Sequence, residues 1–117
     1  MSNLLPKLII TTGEPAGIGP DIVLKAAMGE WAGHIVAVGN TALLEARATA
    51  LGVDVKLTSY TSTDTTKAHR AGHLPVIDIP LSNDCQPGQL DSLNASYVLA
   101  QLELAAALCL AEEFQGM

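Results

Sequence analysis

The sequence predicts an α/β fold, a mostly parallel sheet covered by helices, and three observations support this prediction. Strand-like and helix-like segments alternate along the first half of the chain, in the order β-loop-α-β-α-β. The strand-like segments are continuous apolar runs, which are typical of sheets buried on both faces. Aromatic residues make up only 3% of the chain, so aliphatic side chains must build the core, and this favours helices packed on a sheet.

The first half of the chain divides into three strands and two helices. Each strand is a short aliphatic run, and each helix carries apolar residues on one side. Pro20 suits the first position of the first helix, and Gly52 suits the end of the second. The predicted strands are 7–12, 34–38 and 53–57, and the predicted helices are 20–28 and 41–51. The apolar sides are expected to comprise Ile22, Val23, Ala26 and Ala27 in the first helix, and Leu43, Leu44, Ala48 and Leu51 in the second.

The second half is less regular. Residues 58–66 are rich in hydroxyl groups and predict an exposed connection, and residues 82–89 predict a loop. A strand over 74–79 contains Pro75 and is followed by Pro80, which predicts an edge position or a short strand. A long helix is expected from residue 91 or 92 to near residue 114.

This last helix is apolar almost all round, apart from Gln101 and Glu103, so we expect it to be covered on more than one side. A chain of 117 residues has little material for that cover, and residues 115–117 stop where an α/β pattern would begin its next strand. We therefore expect Met117 to be a cut end, with residues 1–117 as the N-terminal part of a longer protein. The alternative is a complete small domain with a dimer-forming helix.

Charge and composition exclude several classes of protein. Six Lys and Arg against twelve Asp and Glu give a net charge of -6, the wrong sign for binding nucleic acid or an anionic membrane. No apolar run reaches the roughly 20 residues that a membrane span needs, and the N-terminus lacks a secretory signal. Cys85 and Cys109 have no metal or redox spacing. We expect a cytoplasmic protein.

The segment that indicates chemistry is the glycine–proline loop, residues 12–21, between a strand and a helix. Ligands of open α/β sheets bind beyond the carboxyl ends of the strands, and glycines let the backbone approach a ligand. The loop matches neither the Walker motif nor the dinucleotide fingerprint. Glu14 and Asp21 would repel a phosphate, so hydroxyls, neutral or cationic groups, or a nicotinamide ring fit better. A purely structural strand-to-helix turn, stabilised by Asp21, is the alternative.

At this loop the sequence resembles a known family. Gly-Glu-Pro-Ala-Gly-Ile-Gly-Pro-Asp after a Leu-Ile-Ile-Thr strand is similar to the opening of 4-hydroxythreonine-4-phosphate dehydrogenases, enzymes of pyridoxal phosphate biosynthesis. The similarity continues through Gly39-Asn40, residues 43–52, Pro87-Gly-Gln89 and residues 94–98, to Glu113-Phe114. It thus spans the whole chain, and the loop is its most specific part.

The resemblance implies an isocitrate/isopropylmalate dehydrogenase-like two-domain fold and a homodimer. Such an enzyme oxidises 4-phosphohydroxy-L-threonine with NAD or NADP, and the 3-oxo acid then loses CO2 to give 3-amino-2-oxopropyl phosphate. It uses a divalent metal, for which zinc, magnesium and cobalt are the expected ions. The family's metal ligands, substrate-phosphate contacts and general base would lie after Met117, so we assign no catalytic or metal-binding residue in this chain. Residues 1–117 alone are expected to be inactive.

The loop residues that match the family pattern are the candidate cofactor-binding residues. They are Gly13, Glu14, Pro15, Gly17, Ile18 and Gly19, with Ala16, Pro20 and Asp21 completing the match. Glu14 and the backbone from Gly17 to Gly19 are expected nearest to the ligand, and Asp21 is expected to be structural.

Two other functions stay open. The enzyme could act instead on a related phosphorylated four-carbon sugar acid, since the residues that discriminate the substrates would lie beyond the chain. Alternatively, the chain is a stand-alone α/β binding or dimerisation domain that uses its apolar helix as an interface.

Isolated candidates carry weaker signals. His69 and His73 are four residues apart, as in some zinc sites, but Gly72 and Pro75 favour two exposed loop histidines. His34 is interpreted as a strand-end residue, and Cys109 as core packing. Trp31 and Tyr97 are interpreted as packing residues.

Overall fold

The computed structural model describes residues 6–61, 68–81 and 94–117, and in these ranges it contains four strands and three helices. In chain order they are β1 (Lys7–Thr11), α1 (Gly19–Ala26), β2 (His34–Gly39), α2 (Thr41–Leu51), β3 (Lys56–Ser59), β4 (His73–Asp78) and α3 (Ala95–Leu110). The strands form one parallel sheet in the order β1-β2-β4-β3. The predicted α/β class is confirmed.

The sheet has a separate apolar core on each face. All six residues of β2 are buried because alternate side chains enter opposite layers, which explains why the strand is a continuous apolar run. One core contains Ile35 and Ala37 of β2 with Leu24 of α1 and Leu44 of α2. The other contains Val36 and Val38 of β2 with Tyr97 and Ala105 of α3 and Phe114. Helices α1 and α2 therefore cover one face, and α3 covers the other, so we call the second cluster the α3-side core.

Helix α2 has a well-defined beginning and end. The Asn40 side chain accepts a hydrogen bond from the Leu43 amide at 2.9 Å, and Gly52 ends the helix in the left-handed conformation, φ 70°. The amide of Val53 still bonds back to Ala48 at 2.9 Å. The predicted strand over 53–57 is therefore misplaced, and β3 begins at Lys56 and includes the two hydroxyl residues Thr58 and Ser59.

We predicted that Pro75 and Pro80 place strand β4 at an edge or make it short, and the structure shows neither, since β4 has six residues, as many as β2. β4 pairs with β2 and with β3, so it is an interior strand. Pairing with β2 begins at Val76, one residue after Pro75. Toward β3, the bonds from Lys56 to Gly72 and from Tyr60 to Val76 use even-numbered residues of this segment. Because hydrogen-bonding direction alternates along a strand, Pro75 removes no donor from the β3 ladder.

Helix α3 ends four residues earlier than predicted. The amides of Glu112 and Glu113 bond to the carbonyls of Cys109 and Leu108 at 3.0 and 2.9 Å, and Glu112 has φ 63°, the pattern of a Schellman cap. This turn directs Phe114 into the α3-side core, where it is buried. The predicted loop over 82–89 and the predicted helix start at 91 or 92 lie outside the described residues.

Lys7, the first residue of β1, belongs to a lysine–aromatic cluster with Tyr60, Glu113 and Phe114. Its ammonium nitrogen lies 4.8 Å from the centre of each aromatic ring and 3.4 Å from Glu113 Oε2. The Tyr60 hydroxyl donates to the same carboxylate oxygen at 2.6 Å. These contacts let the lysine be buried although it carries a charge.

The last residues run beside β1. Gly116 forms a parallel bridge with Leu8, the amide of Ile9 donates to the Gly116 carbonyl at 3.0 Å, and the amide of Gln115 donates to the Lys7 carbonyl at 2.8 Å. The edge of β1 that faces away from β2 is therefore partly hydrogen-bonded, to residues 115 and 116.

Helix α3 buries one side and leaves large apolar side chains exposed on another. Tyr97, Gln101 and Ala105 are buried, whereas Leu99, Leu102 and Leu110 are exposed. Within the described ranges no helix has the length and apolar character needed to cross a membrane.

Candidate functional site

The glycine–proline loop leaves the carboxyl end of β1 and leads into α1. The carboxyl ends of parallel strands meet at one side of a sheet, so the loop lies beside the ends of β2 and β4. Asn40 follows β2, and the Asp78 carboxylate at the end of β4 accepts a hydrogen bond from the Thr41 amide at 2.8 Å. Polar groups from three segments therefore gather where ligands of this fold class bind.

The beginning of the loop is held by Gln101 of α3, whose side chain is fully buried. Its Oε1 accepts hydrogen bonds from the amides of Thr12 (2.7 Å) and Gly13 (3.0 Å) and from the Thr12 hydroxyl (3.2 Å). Its Nε2 donates to the Gly13 carbonyl at 3.0 Å. Gly13 has φ 77°, a left-handed conformation that favours glycine. One amide side chain thus satisfies the backbone at the point where the chain turns out of the sheet.

A second contact ties α3 to the end of β2. The Tyr97 hydroxyl accepts a hydrogen bond from the Asn40 amide at 2.8 Å. A Cβ at Gly39 would lie only 2.5 Å from the Thr12 hydroxyl and 3.1 Å from the Tyr97 hydroxyl, so a larger residue there would separate these segments. Tyr97 thus joins two segments as well as packing in the core.

The middle of the loop is stabilised by Glu14. Its Oε1 accepts a hydrogen bond from the Ala16 amide at 2.8 Å, and its carbonyl accepts one from the Gly17 amide at 3.0 Å. We expected this side chain near the ligand, and one of its two oxygens is engaged within the loop. That contact gives Glu14 a structural role alongside the predicted one.

The end of the loop is held by Arg47 of α2, which is buried. Its Nη2 donates to the carbonyls of Pro15 and Gly17, each at 3.0 Å, and its Nη1 pairs with the Asp21 carboxylate. Asp21 lies in the first turn of α1, where its charge also complements the helix dipole. The expected structural role of Asp21 is supported, and its partner is this arginine.

Gly19 allows α1 to begin against β1. A Cβ at this position would overlap the carbonyl oxygen of Thr12, a backbone atom that cannot rotate away. Gly17 is different, because a Cβ there would lie 3.4 Å or more from its neighbours, in ordinary van der Waals contact. Glycine is therefore required for steric reasons at position 19 but not at position 17.

The candidate cofactor-binding residues differ in exposure. Pro15 and the neighbouring Ala16 are buried, while Gly13, Glu14, Gly17 and Gly19 are half-buried. Ile18 is 71% exposed, and one turn later Ile22 is 57% exposed, although we predicted Ile22 on the buried side of α1. The loop therefore presents an apolar side chain and backbone at its surface.

The other predicted candidates are located away from this loop. His69 is buried, contrary to the expected exposed loop residue, because residues 69–72 pack against the end of α1, and its Nε2 donates to the Ala27 carbonyl at 2.7 Å. His73 also differs from the expected exposed loop residue, because it is the half-buried first residue of β4. His34 begins β2, as predicted. Cys109 packs against the α3-side core, also as predicted. Trp31 is 49% exposed and donates from Nε1 to the Ala26 carbonyl at 2.8 Å, which corrects its expected packing role.

The described residues do not supply a metal centre. No group of three or more His, Cys, Asp or Glu side chains in these ranges could hold an ion. The metal that the resemblance implies therefore does not fit the described part of this chain, and we derive no chemical step through it.

Two residues that shape the loop, Gln101 and Arg47, were not predicted. Arg47 lies on the same side of α2 as Leu43, Leu44 and Ala48, and Gln101 interrupts an apolar helix. A polar residue on a buried side of a helix needs a hydrogen-bonding partner, and this was the signal in the sequence. The predicted buried side of α2 also included Leu51, which is exposed at the end of the helix.

Comparisons with known proteins agree with the architecture. The family model of the pyridoxal phosphate biosynthetic protein PdxA matches residues 30–117. A 4-hydroxythreonine-4-phosphate dehydrogenase of Vibrio cholerae is 44% identical over 111 residues, which are 95% of this chain and 34% of that protein. One of Vibrio parahaemolyticus is 40% identical over 116 residues, 99% of this chain and 35% of that protein.

Solved structures with the same name are also similar in fold. A dehydrogenase from Burkholderia phymatum superposes with a TM-score of 0.81 at 23% identity, over 96% of this chain and 35% of that one. One from Klebsiella pneumoniae gives 0.72 at 26% identity, over 94% and 35%. The chain spans about a third of the length of these relatives. With three quarters of its residues matched by the family model, this chain belongs to the PdxA family of pyridoxal phosphate biosynthetic proteins.

Proposed function

We propose that this chain provides the nicotinamide-facing wall of a 4-hydroxythreonine-4-phosphate dehydrogenase. The reaction is the oxidation of the 3-hydroxyl of 4-phosphohydroxy-L-threonine by NAD or NADP, followed by loss of CO2 from the 3-oxo acid. The observation that carries the proposal is the glycine–proline loop, which lies at the carboxyl ends of the strands in a member of this family.

The loop residues have the properties that such a wall needs. Ile18 offers an exposed apolar side chain, and the amides of Ile18 and Gly19 at the start of α1 make no hydrogen bond in the described part of the chain. An apolar contact and free amide donors suit a nicotinamide ring with its carboxamide. When bound, the cofactor supplies the hydride acceptor, and these residues orient its ring.

The remaining features of the proposal come from the family. They are a second domain, a homodimer, a cytoplasmic location and a divalent metal held by residues outside the described ranges. Small phosphorylated molecules are the proposed ligands, and nucleic acids and membranes are not.

A chimeric enzyme tests the proposal. In the Vibrio cholerae dehydrogenase, the segment aligned with this chain is replaced by residues 1–117, and reduction of NAD and NADP is followed with 4-phosphohydroxy-L-threonine. We expect turnover within about tenfold of the parent enzyme, and none from residues 1–117 alone. The residues that select the substrate would lie in the two thirds of the enzyme outside this chain. The full-length natural enzyme must therefore be assayed with both 4-phosphohydroxy-L-threonine and a phosphorylated four-carbon sugar acid.

A matched pair of substitutions locates the cofactor. Ile18→Asn replaces the apolar side chain of the proposed wall by a polar one without adding charge, and Leu51→Asn makes the same change at the exposed end of α2. We expect Ile18→Asn to raise the KM for the nicotinamide cofactor about tenfold, and Leu51→Asn to leave it within about twofold. Equal KM values in the two variants would show that the loop does not face the cofactor.

A chimera that folds but lacks turnover would contradict the proposed function and favour a stand-alone domain. That alternative expects a stable dimer of residues 1–117 in solution, which sedimentation measures directly. A monomer or an aggregate would exclude it.

A further inference from the structure

Arg47 is the one strongly basic side chain that the structure buries beneath the loop within the described ranges. Its side chain is 7% exposed, and it lies between the apolar residues of α2 and the underside of residues 15–21. A buried guanidinium without partners strongly destabilises a fold, so its contacts decide whether this position is stable.

Those contacts form a three-point attachment. Two carbonyls, of Pro15 and Gly17, accept from Nη2, and the Asp21 carboxylate pairs with Nη1. The guanidinium is planar and its donors diverge at fixed angles, so the three acceptors are held in a fixed relation to α2. A lysine ammonium has one nitrogen and could not reproduce this spread.

The direction of the carbonyls determines the direction of the amides. In a planar trans peptide the carbonyl of one residue and the amide of the next point in opposite directions. Because the Gly17 carbonyl points toward Arg47, the Ile18 amide points away from it. Ile18 and Gly19 are the cap and the first residue of α1, so their free amides lie at the positive end of the helix.

We propose that Arg47 is a positioning residue, which holds the loop with the Ile18 amide turned toward the nicotinamide cofactor. The inference rests on the proposed function for its ligand, while the attachment itself rests on the three contacts. Arg47 does not touch the cofactor and acts only through the carbonyls of Pro15 and Gly17.

Paired variants separate this role from simple stabilisation. Arg47→Gln removes the attachment and also leaves Asp21 without its cation. Arg47→Gln with Asp21→Asn removes the unpaired charge but does not restore the carbonyl contacts. Arg47→Lys keeps the charge beside Asp21. Arg70→Gln is the matched control, since it removes the same charge from an exposed position in the segment before β4.

Kinetics of the chimeric dehydrogenase give the first measurement. We expect the double variant to regain much of the thermal stability lost in Arg47→Gln, with a KM for the cofactor about tenfold above the unsubstituted chimera. The KM for 4-phosphohydroxy-L-threonine should change less than twofold. Arg47→Lys should also show the raised cofactor KM, and Arg70→Gln should not. Recovery of the cofactor KM together with stability in the double variant would overturn the proposal.

Amide exchange in residues 1–117 gives a second measurement, which needs no turnover. The Ala16 and Gly17 amides are bonded within the loop, to Glu14, and should exchange about tenfold faster in the double variant than in the unsubstituted chain. Unchanged exchange would overturn the attachment whether or not the chimera is active. Faster exchange with an inactive chimera would support the attachment and contradict only the proposed function.

Discussion

Strand β1 is attached at both ends, by helix α3 after its last residue and by residues outside that helix at its first residue, and the two attachments use different chemistry. After β1, the neutral amide of Gln101 bonds to the backbone of Thr12 and Gly13. At the first residue of β1, the lysine–aromatic cluster joins a cation, a carboxylate and two rings. The first attachment fixes a backbone conformation, and the second fixes only where side chains lie. A functional loop requires the first kind, because its backbone must keep one shape.

The largest effect is expected at Gln101. Gln101→Leu preserves the approximate volume but leaves the half-buried amide and carbonyl of Gly13 without the partner that Gln101 provides, which should lower the free energy of unfolding by about 3 kcal/mol. Glu103→Leu, at an exposed position of the same helix, should change it by less than about 0.5 kcal/mol. Urea unfolding measures both. Similar values for the two variants would mean that the amide attachment contributes little.

Gly19 should show the next largest effect, and it separates steric fit from helix propensity. Propensity alone predicts that Gly19→Ala stabilises α1 by about 1 kcal/mol. The overlap with the Thr12 carbonyl predicts the opposite, a loss of about 2 kcal/mol. Gly17→Ala, whose added Cβ has room, should stay within about 0.5 kcal/mol. A stabilised Gly19→Ala variant would show that α1 can move away from β1 without cost.

The smallest effect is expected in the lysine–aromatic cluster, where it should depend on pH. The hydrogen bond from Tyr60 lowers the pKa of Glu113 most, the charge of Lys7 lowers it further, and burial partly opposes both. A carboxyl whose pKa is lower in the folded state stabilises the fold above its unfolded pKa of about 4.3. That contribution is lost as the pH falls through the lower, folded pKa.

Glu113→Gln isolates this contribution. At pH 7 the variant should be less stable by at most about 1 kcal/mol, since the carboxylate is partly exposed. Thermal unfolding between about pH 7 and pH 3 should show the difference between the two proteins shrinking below about pH 4. A difference that stays constant over this range would contradict a role for the ionised carboxylate.

Much of the fold could be predicted because a strand that is buried on both faces of a sheet has a continuous apolar sequence. The apolar runs of β1 and β2 and the glycine after α2 predicted their elements to within one or two residues. The misplaced elements depended on hydrogen bonds that composition does not reveal. Val53 stays bonded to helix α2, Pro75 removes no donor from the β3 ladder and precedes the first residue paired with β2, and Glu112 takes a conformation usual for glycine.

The loop was predicted as the site, but its supports were not, for a physical reason. The loop is contiguous in sequence, whereas Gln101 follows Thr12 by 89 residues and Arg47 follows Pro15 by 32. Residue spacing along one helix shows that a polar side chain is buried, but not which distant backbone group it meets. Only the packing of α2 and α3 on opposite faces of the sheet reveals the two contacts.

The run of residues 115 and 116 beside β1 has a consequence for solubility. An outer strand with bare amides and carbonyls is a template onto which another molecule can add its own strand. Here Gly116 and Gln115 occupy the groups of Ile9 and Lys7 that would offer that template. Residues 115 and 116 thus leave less of the β1 edge open to strand-by-strand association, a task independent of any ligand.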